Sequence, residues 1–405
     1  MNNNHNLLAG LRILDLSRVL AGPLCTRLFA EFGAEVIKIE AAPSGDMVRQ
    51  FSKLRGERSL YFIQQNLGKK SVCLDLREPR AMALIKELVA RSDIVVENFK
   101  PGTMESMGLG YETLKSLKKD IILCSISAMG QTGPLASKPG YDTIAQGYSG
   151  VTAMIGDPDG APSIPCIAAG DVSTGVHSAF AILAAVYHRD RSGVGQHIDI
   201  GLLDVYYNFH EINVHQFSGS HGALNPTRGG SHLGYVCPAG VFKARDGYMI
   251  IMGFAHHWKD LCVAMGRPDL SDDERWNSDQ KRIAIRAEVI VLVENWLDTF
   301  VDRAAAIARL EAHGVPVAPV LSVEETINHP HFKARGTVRT INDPLAGEFE
   351  VPGNPIKFVG LASDTTLRAP TLGEHNEAIL TGLLGKSEEE VAALTAAGTL
   401  IKKNV

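Results

Sequence analysis

A chain of 405 residues, 45% hydrophobic and 21% charged, has room for two domains with an ordinary globular core. That balance excludes a disordered chain, and a formal net charge of −5 argues against a nucleic-acid partner, which needs a concentrated basic face. No apolar run of membrane-spanning length and no signal-peptide pattern near Met1 is read, so the expectation is a cytoplasmic protein with no membrane partner.

Strand-forming runs alternate with helical stretches from the start. Residues 11–16 read as a first strand, followed by a turn at Ala21-Gly22-Pro23 and a helix over 24–31. Further strands fall at 35–40, 71–76, 93–99 and 121–126, and a helix over 78–91 sets Met82, Ile85, Leu88 and Val89 on one face. This alternation predicts an α/β fold on a parallel sheet, whose ligands bind where turns leave the carboxyl ends of the strands. The first turn carries no GxGxxG and the chain no P-loop, so a nicotinamide dehydrogenase is a poor fit despite the Rossmann-like pattern.

Asn98-Phe99-Lys100-Pro101-Gly102 closes one strand with an amide, a ring and a cation. It reads either as a plain strand-to-helix loop or as a ligand shelf, with Phe99 against a ring and Lys100 on a phosphate. The stretch 133–148 begins as a loop and turns helical after Tyr141; 196–200 is a strand with a helix from Leu202. A glycine-rich linker over 217–235 then separates a large domain (1–216) from a smaller α+β domain (236–318) containing a hairpin at Arg245-Asp246-Gly247. The remainder, 319–405, carries a short strand near Phe358 and Val359 and terminal helices, and is expected to return to the large domain. Six scattered cysteines form no CxxC pair, so reduced thiols are expected and not disulfides or zinc. His256 with His257, and His329 with His331, lack the spacing and carboxylate of a helical metal site, so no metal is expected.

One carboxylate stands out. Asp171, in Ala168-Ala169-Gly170-Asp171, precedes a stretch that is apolar on nearly every face and is therefore expected to be a buried helix. Asp171 sits at its amino end among small residues that let a ligand approach the backbone. Two roles fit: an ordinary N-cap, or a catalytic carboxylate.

Asp15-Leu16-Ser17-Arg18-Val19-Leu20-Ala21-Gly22-Pro23, Glu35-Val36-Ile37-Lys38-Ile39-Glu40, Asn66-Leu67-Gly68-Lys69-Lys70-Ser71, Gly170-Asp171 and Arg368-Ala369-Pro370-Thr371-Leu372-Gly373-Glu374-His375 together resemble the class III CoA-transferases, the family of formyl-CoA transferase and the carnitine and bile-acid CoA-transferases. The resemblance covers essentially the whole chain. It implies a Rossmann-like large domain with a smaller α+β domain, in an interlocked homodimer. It implies that Asp171 is the catalytic aspartate, that Tyr141 is an active-site residue, and that Val19, Ala21, Leu74, Arg77, Asn98, Phe99 and Lys138 contact CoA. The implied partners are an acyl-CoA and a small carboxylic acid, with CoA as substrate and no permanently bound cofactor. This chain has Ala41 and Ser106 where formyl-CoA transferase has basic residues, and a shorter segment from Gly229-Gly230 to Tyr235 in place of a tetraglycine loop.

The expected chemistry moves CoA from a thioester to a carboxylate through an Asp171 anhydride and an aspartyl-CoA thioester. Amides of the helix start and of Gly229 and Gly230 are expected to hold the oxyanions. Two alternatives stand beside it. An α-methylacyl-CoA racemase needs a histidine–aspartate acid/base pair, but its histidine falls at Tyr141. A non-catalytic CoA-ester binding protein has no need of Asp171.

Overall fold

A computed structural model describes residues 6–51, 55–360 and 366–403. Contacts divide the chain into two units, one of 1–149, 166–209 and 330–405, the other of 150–165 and 210–329. The stretch 150–165, which the sequence reading leaves in the large domain, groups with the second unit, and 330–405 groups with the first.

The first unit is built on six parallel strands: β1 (Arg12–Asp15), β2 (Glu35–Ala41), β3 (Lys70–Leu74), β4 (Ile94–Glu97), β5 (Ile122–Ser127) and β6 (His197–Gly201). Their order is β3-β2-β1-β4-β5-β6. Leu14 sits between Ile37 and Val95 in register, and β4 and β5 are buried throughout. Near-continuous apolar strands of this kind need helices on both faces. These come from α1 (Ala21–Glu31), α2 (Leu60–Gln65), α3 (Pro79–Ala90), α4 (Thr103–Ser106), α5 (Tyr111–Leu117), α6 (Asp142–Tyr148), α7 (Ala169–Ser192) and α8 (Leu202–Tyr207). Leu84, Ile85 and Leu88 of α3 meet Leu14, Ile37 and Val95, and Ile379, Leu380 and Val391 join the same core. The strand order reverses between β1 and β4, so the turns after these two strands flank the crevice of the sheet.

Three expectations are corrected. Ala21-Gly22-Pro23 is not a turn but the start of α1, because a proline in a first turn gives up no intrahelical bond. The strand near Phe358 and Val359 does not form; the strands there are Val338–Asp343 and Gly347–Pro352, paired as a hairpin. Helix α7 is apolar but not buried all round. Its inner face is mostly small (Thr174, Gly175, Ser178, Ala179), and a Cβ at Gly175 would lie 2.8 Å from the Ala21 carbonyl oxygen. Its outer face, Val172, Val176, Phe180, Leu183 and Tyr187, is exposed. With 24 residues α7 is also long and apolar enough to cross a membrane by length and composition, a run that the sequence reading does not pick out.

The second unit holds an antiparallel sheet of β7 (Ala239–Ala244), β8 (Gly247–Met252) and β9 (Val317–Pro319). Phe242, Met249 and Ile251 pack with Trp258, Leu261, Val289 and Leu310 from its helices.

Candidate active site

The turn leaving β1 is held from both sides. Arg18 N–H donates to Asn98 Oδ1 at 2.8 Å, and Asn98 Nδ2 donates back to the Arg18 carbonyl at 2.7 Å. Asn98 comes from the turn after β4, so one side chain ties together the two turns that flank the crevice. Phe99 N–H donates to Glu97 Oε2 at 2.7 Å, and the Arg18 guanidinium lies 5.0 Å from the Phe99 ring centre.

Facing this turn is the amino end of α7. Its N-cap is Ala168 and makes no side-chain cap, so Asp171 is the third helical residue and not the N-cap. The capping work is done by Asp142 at the start of α6: its Oδ2 accepts the Asp171 N–H at 2.8 Å, and its Oδ1 accepts the Tyr206 hydroxyl at 2.6 Å. Gly170 is required for this arrangement, because a Cβ there would stand 2.1 Å from Cε2 of the Tyr206 ring. Among the described residues the Asp171 carboxylate itself accepts no hydrogen bond, while burial and then the Asp142 charge push it up to about 7. Tyr61 on α2 lies within the same field: burial, then Asp171, push its hydroxyl up to about 12.

Val19, Ala21, Asn98, Tyr141, Asp142 and Asp171 line one cleft of 280 Å3. A half-buried, unbonded carboxylate on a helix start, beside a crevice rimmed by backbone turns, suits a nucleophile or base acting on a bound ester.

The sequence profile of CoA-transferase family III matches residues 8–376. The chain belongs to CoA-transferase family III.

Its relatives include the succinyl-CoA:mesaconate CoA-transferase of Haloarcula hispanica, 39% identical over 91% of this chain and 94% of the relative. Another is the succinyl-CoA–D-citramalate CoA-transferase of Chloroflexus aurantiacus, 35% identical over 95% and 96%. A CAIB/BAIF family protein from Brucella suis has a similar solved structure, with a TM-score of 0.83 and 35% identity over 93% of this chain and 99% of that one.

Within this family member, the residues expected to touch CoA divide into groups. Val19, Ala21 and Asn98 share the cleft with Asp171 and Tyr141, whose ring is 72% exposed, and Phe99 adjoins it under Arg18. Leu74 and Arg77 lie outside that lining, at the carboxyl end of β3; Leu74 is buried beside Ala41, and Arg77 is exposed and paired with Asp75 at 2.6 Å. Lys138 is exposed, 5.9 Å from the Tyr148 ring.

Gly229 and Gly230 belong to the second unit. There Gly230 N–H donates to the Gly156 carbonyl at 3.1 Å, and Arg228 donates to the carbonyls of Asp157 and Gly160 at 3.0 Å each. The Gly230 amide, expected as an oxyanion donor, is thus engaged within its own unit. At the start of α7 the Asp171 amide is held by Asp142 and the Val172 amide by the Ala168 carbonyl, so they too are occupied.

The sequence reading gives no role to Arg18, Met47 or Tyr61. Arg18 and Met47 line the cleft, and Tyr61 senses the Asp171 charge. Arg18 stands inside the run 15–23 that carries the resemblance, so the sequence holds a signal for it. Tyr61 is 110 positions from Asp171 and carries no local signal. Among the described residues no group of three His, Cys, Asp or Glu side chains forms a metal-binding cluster.

Proposed function

We propose that this chain carries CoA from an acyl-CoA thioester to a free carboxylic acid through its own carboxylate, Asp171. The observation that supports this most strongly is the Asp171 carboxylate itself, half-buried and without a hydrogen-bond donor among the described residues, on the wall of the cleft. Such an oxygen is more nucleophilic than one in water, where its lone pairs are bound.

One Asp171 oxygen attacks the donor's thioester carbon; the C–S bond breaks, CoA leaves as the thiolate, and a mixed anhydride remains. The thiolate then attacks the aspartyl carbonyl, releasing the donor acid as its carboxylate and leaving an aspartyl-CoA thioester. The acceptor carboxylate attacks that thioester, regenerating an anhydride and the thiolate. A last attack by the thiolate on the acceptor's carbonyl frees the new acyl-CoA and restores Asp171. No water and no net proton enter, so water in the cleft only diverts the intermediates to hydrolysis. Val19, Ala21, Asn98 and Phe99 are assigned to CoA, and Tyr141 to the wall on which the acyl group rests.

The relatives named above are succinyl-CoA transferases acting on mesaconate and D-citramalate. They support succinyl-CoA as donor and a small dicarboxylic acid as acceptor. The exposed apolar face of α7, with the resemblance, supports a homodimer.

The test is to incubate the enzyme with succinyl-CoA and a panel of dicarboxylic acids, following new CoA esters by mass spectrometry and trapping with hydroxylamine. A new ester and a modified Asp171 peptide are expected. Modification of Cys166 instead would name the wrong nucleophile. Deuterium entering the α-position of a 2-methylacyl-CoA in D2O, with no new ester, would replace the reading by a racemase.

A further inference from the structure

The core of the first unit holds a set of charges that the proposed chemistry does not use. Lys69 Nζ donates to Asp15 Oδ2, Asn66 Oδ1 and the Pro23 carbonyl, each at 2.9 Å. Lys38 Nζ meets Asp46 Oδ2 at 3.1 Å and donates to the Ser17 carbonyl at 2.7 Å. Glu40 accepts Arg49 Nε and Nη2 at 2.8 Å, Ser71 Oγ at 2.7 Å and the Asp46 N–H at 3.1 Å. All six ionised side chains are buried.

Stability is a weak reason to keep such a network, since apolar replacements of buried ion pairs are often neutral or stabilising. What the network touches gives a better reason. Asp46 is wedged between Lys38 and the next turn of chain, and both its oxygens stand 3.3 Å from the Val19 N–H. Val19 has a φ of 70°, and among the described residues only His221 shares a positive φ without being glycine. A β-branched side chain in the left-handed region is strained and persists only where its surroundings over-determine it. Here two successive peptides are gripped on both sides: the Ser17 carbonyl by Lys38 and the Arg18 amide by Asn98, then the Arg18 carbonyl by Asn98 and the Val19 amide by Asp46. The strained segment 18–21 is also a wall of the cleft.

We propose that Asp46, locked in place by Lys38, is a positioning residue for the acyl-CoA site, holding the Val19 peptide in its left-handed turn so that the 18–21 backbone faces the CoA. The proposal rests on the reading of this cleft as the CoA site. In Asp46→Ala the Val19 amide loses its acceptor and the turn relaxes toward ordinary φ, so CoA binding weakens while the reaction at Asp171 is left largely intact. In a Val19→Gly background the positive φ carries no side-chain strain, so the turn no longer depends on Asp46.

A double-mutant cycle decides this, read by calorimetric titration with CoA and by kcat and KM for succinyl-CoA. Releasing one strained residue corresponds to about tenfold, so Asp46→Ala is expected to raise Kd and KM by about that factor with kcat changed less than about threefold. In the Val19→Gly background the same substitution is expected to raise Kd by less than about threefold. An unchanged Kd in a folded Asp46→Ala protein, or an equal penalty in both backgrounds, overturns the proposal. Should Asp46→Ala fail to fold, Asp46→Asn carries the test: it keeps an acceptor for Val19 but loses the ion pair, so a smaller rise in Kd that vanishes in the Val19→Gly background is expected, and one that persists overturns it. Wild-type protein that binds no CoA is a distinct result, which removes the CoA reading itself and this inference with it.

Discussion

Carboxylates in the first turn of a helix ordinarily sit below their solution value, because the helix amides favour the anion. Asp171 goes the other way, from 3.8 up to about 7, so burial and the Asp142 charge outweigh the dipole. Two consequences follow with opposite slopes. Attack needs the anion, so kcat/KM for acyl-CoA is expected to rise with pH through about 7 and then level off; a flat profile between pH 5.5 and 8.5 would sink Asp171 as the attacking group. For folding, a group whose pKa is raised in the native state contributes stability below its unfolded value, and that contribution is lost as pH rises through about 7. Asp171→Asn mimics the neutral form, so its melting temperature is expected to exceed that of the wild type at pH 8 and to match it at pH 4. The same substitution should leave less than about a thousandth of the transfer rate, in keeping with loss of a covalent nucleophile. Loss of a hydroxyl aimed at developing charge costs about a hundredfold or more in kcat. Tyr141→Phe, at a ring that is 72% exposed, is expected to cost much less.

At the scale of the element, the start of α7 is built by its neighbours. Asp142 on α6 replaces the missing cap, and Tyr206 on α8 holds Asp142 in turn, packed over Gly170. Gly170→Ala is therefore expected to force the ring aside, costing about 1–3 kcal/mol as an overpacking change and weakening the Asp142 bond that orients Asp171. Thermal melting together with kcat checks this; a variant with unchanged melting and unchanged kcat would show that the contact does not matter. The sheet was legible in the sequence because each strand is a compact apolar run between polar turns, and Asp171 because small residues and an apolar stretch surround it. The Asp142–Tyr206 pair was not, because its members stand 64 positions apart and neither has a local pattern. The start of α1 was misread because Gly-Pro signals a turn in isolation, while in place Gly22 is needed for close contact with Ser17, whose Cβ would stand 2.2 Å from a Cβ at that position. Apolar periodicity also says only that a face is covered. It does not say what covers it, and the outer face of α7 is left exposed by this chain.

At the scale of the molecule, the outer face of α7 is the feature a single chain leaves unexplained. Val176, Phe180 and Leu183 line an apolar groove of 250 Å3 with Phe29 and Phe32, and Phe180 is 74% exposed. Monomers rarely present such a contiguous apolar surface, and the proposed homodimer gives it a partner. If Phe180 faced water, Phe180→Asp would be a surface change worth no more than about 0.5 kcal/mol. If a second copy covers it, the same substitution places an unpaired charge in an apolar contact, a penalty of several kcal/mol that the interface has to absorb. The expected result is that wild-type protein runs as a dimer in size-exclusion chromatography with light scattering, and that its melting temperature rises with protein concentration. Phe180→Asp is expected to shift the population toward monomer, with a lower and concentration-independent melting temperature if a folded monomer survives at all. A monomeric wild type whose melting temperature Phe180→Asp leaves unmoved would refute the dimer and return the face of α7 to solvent.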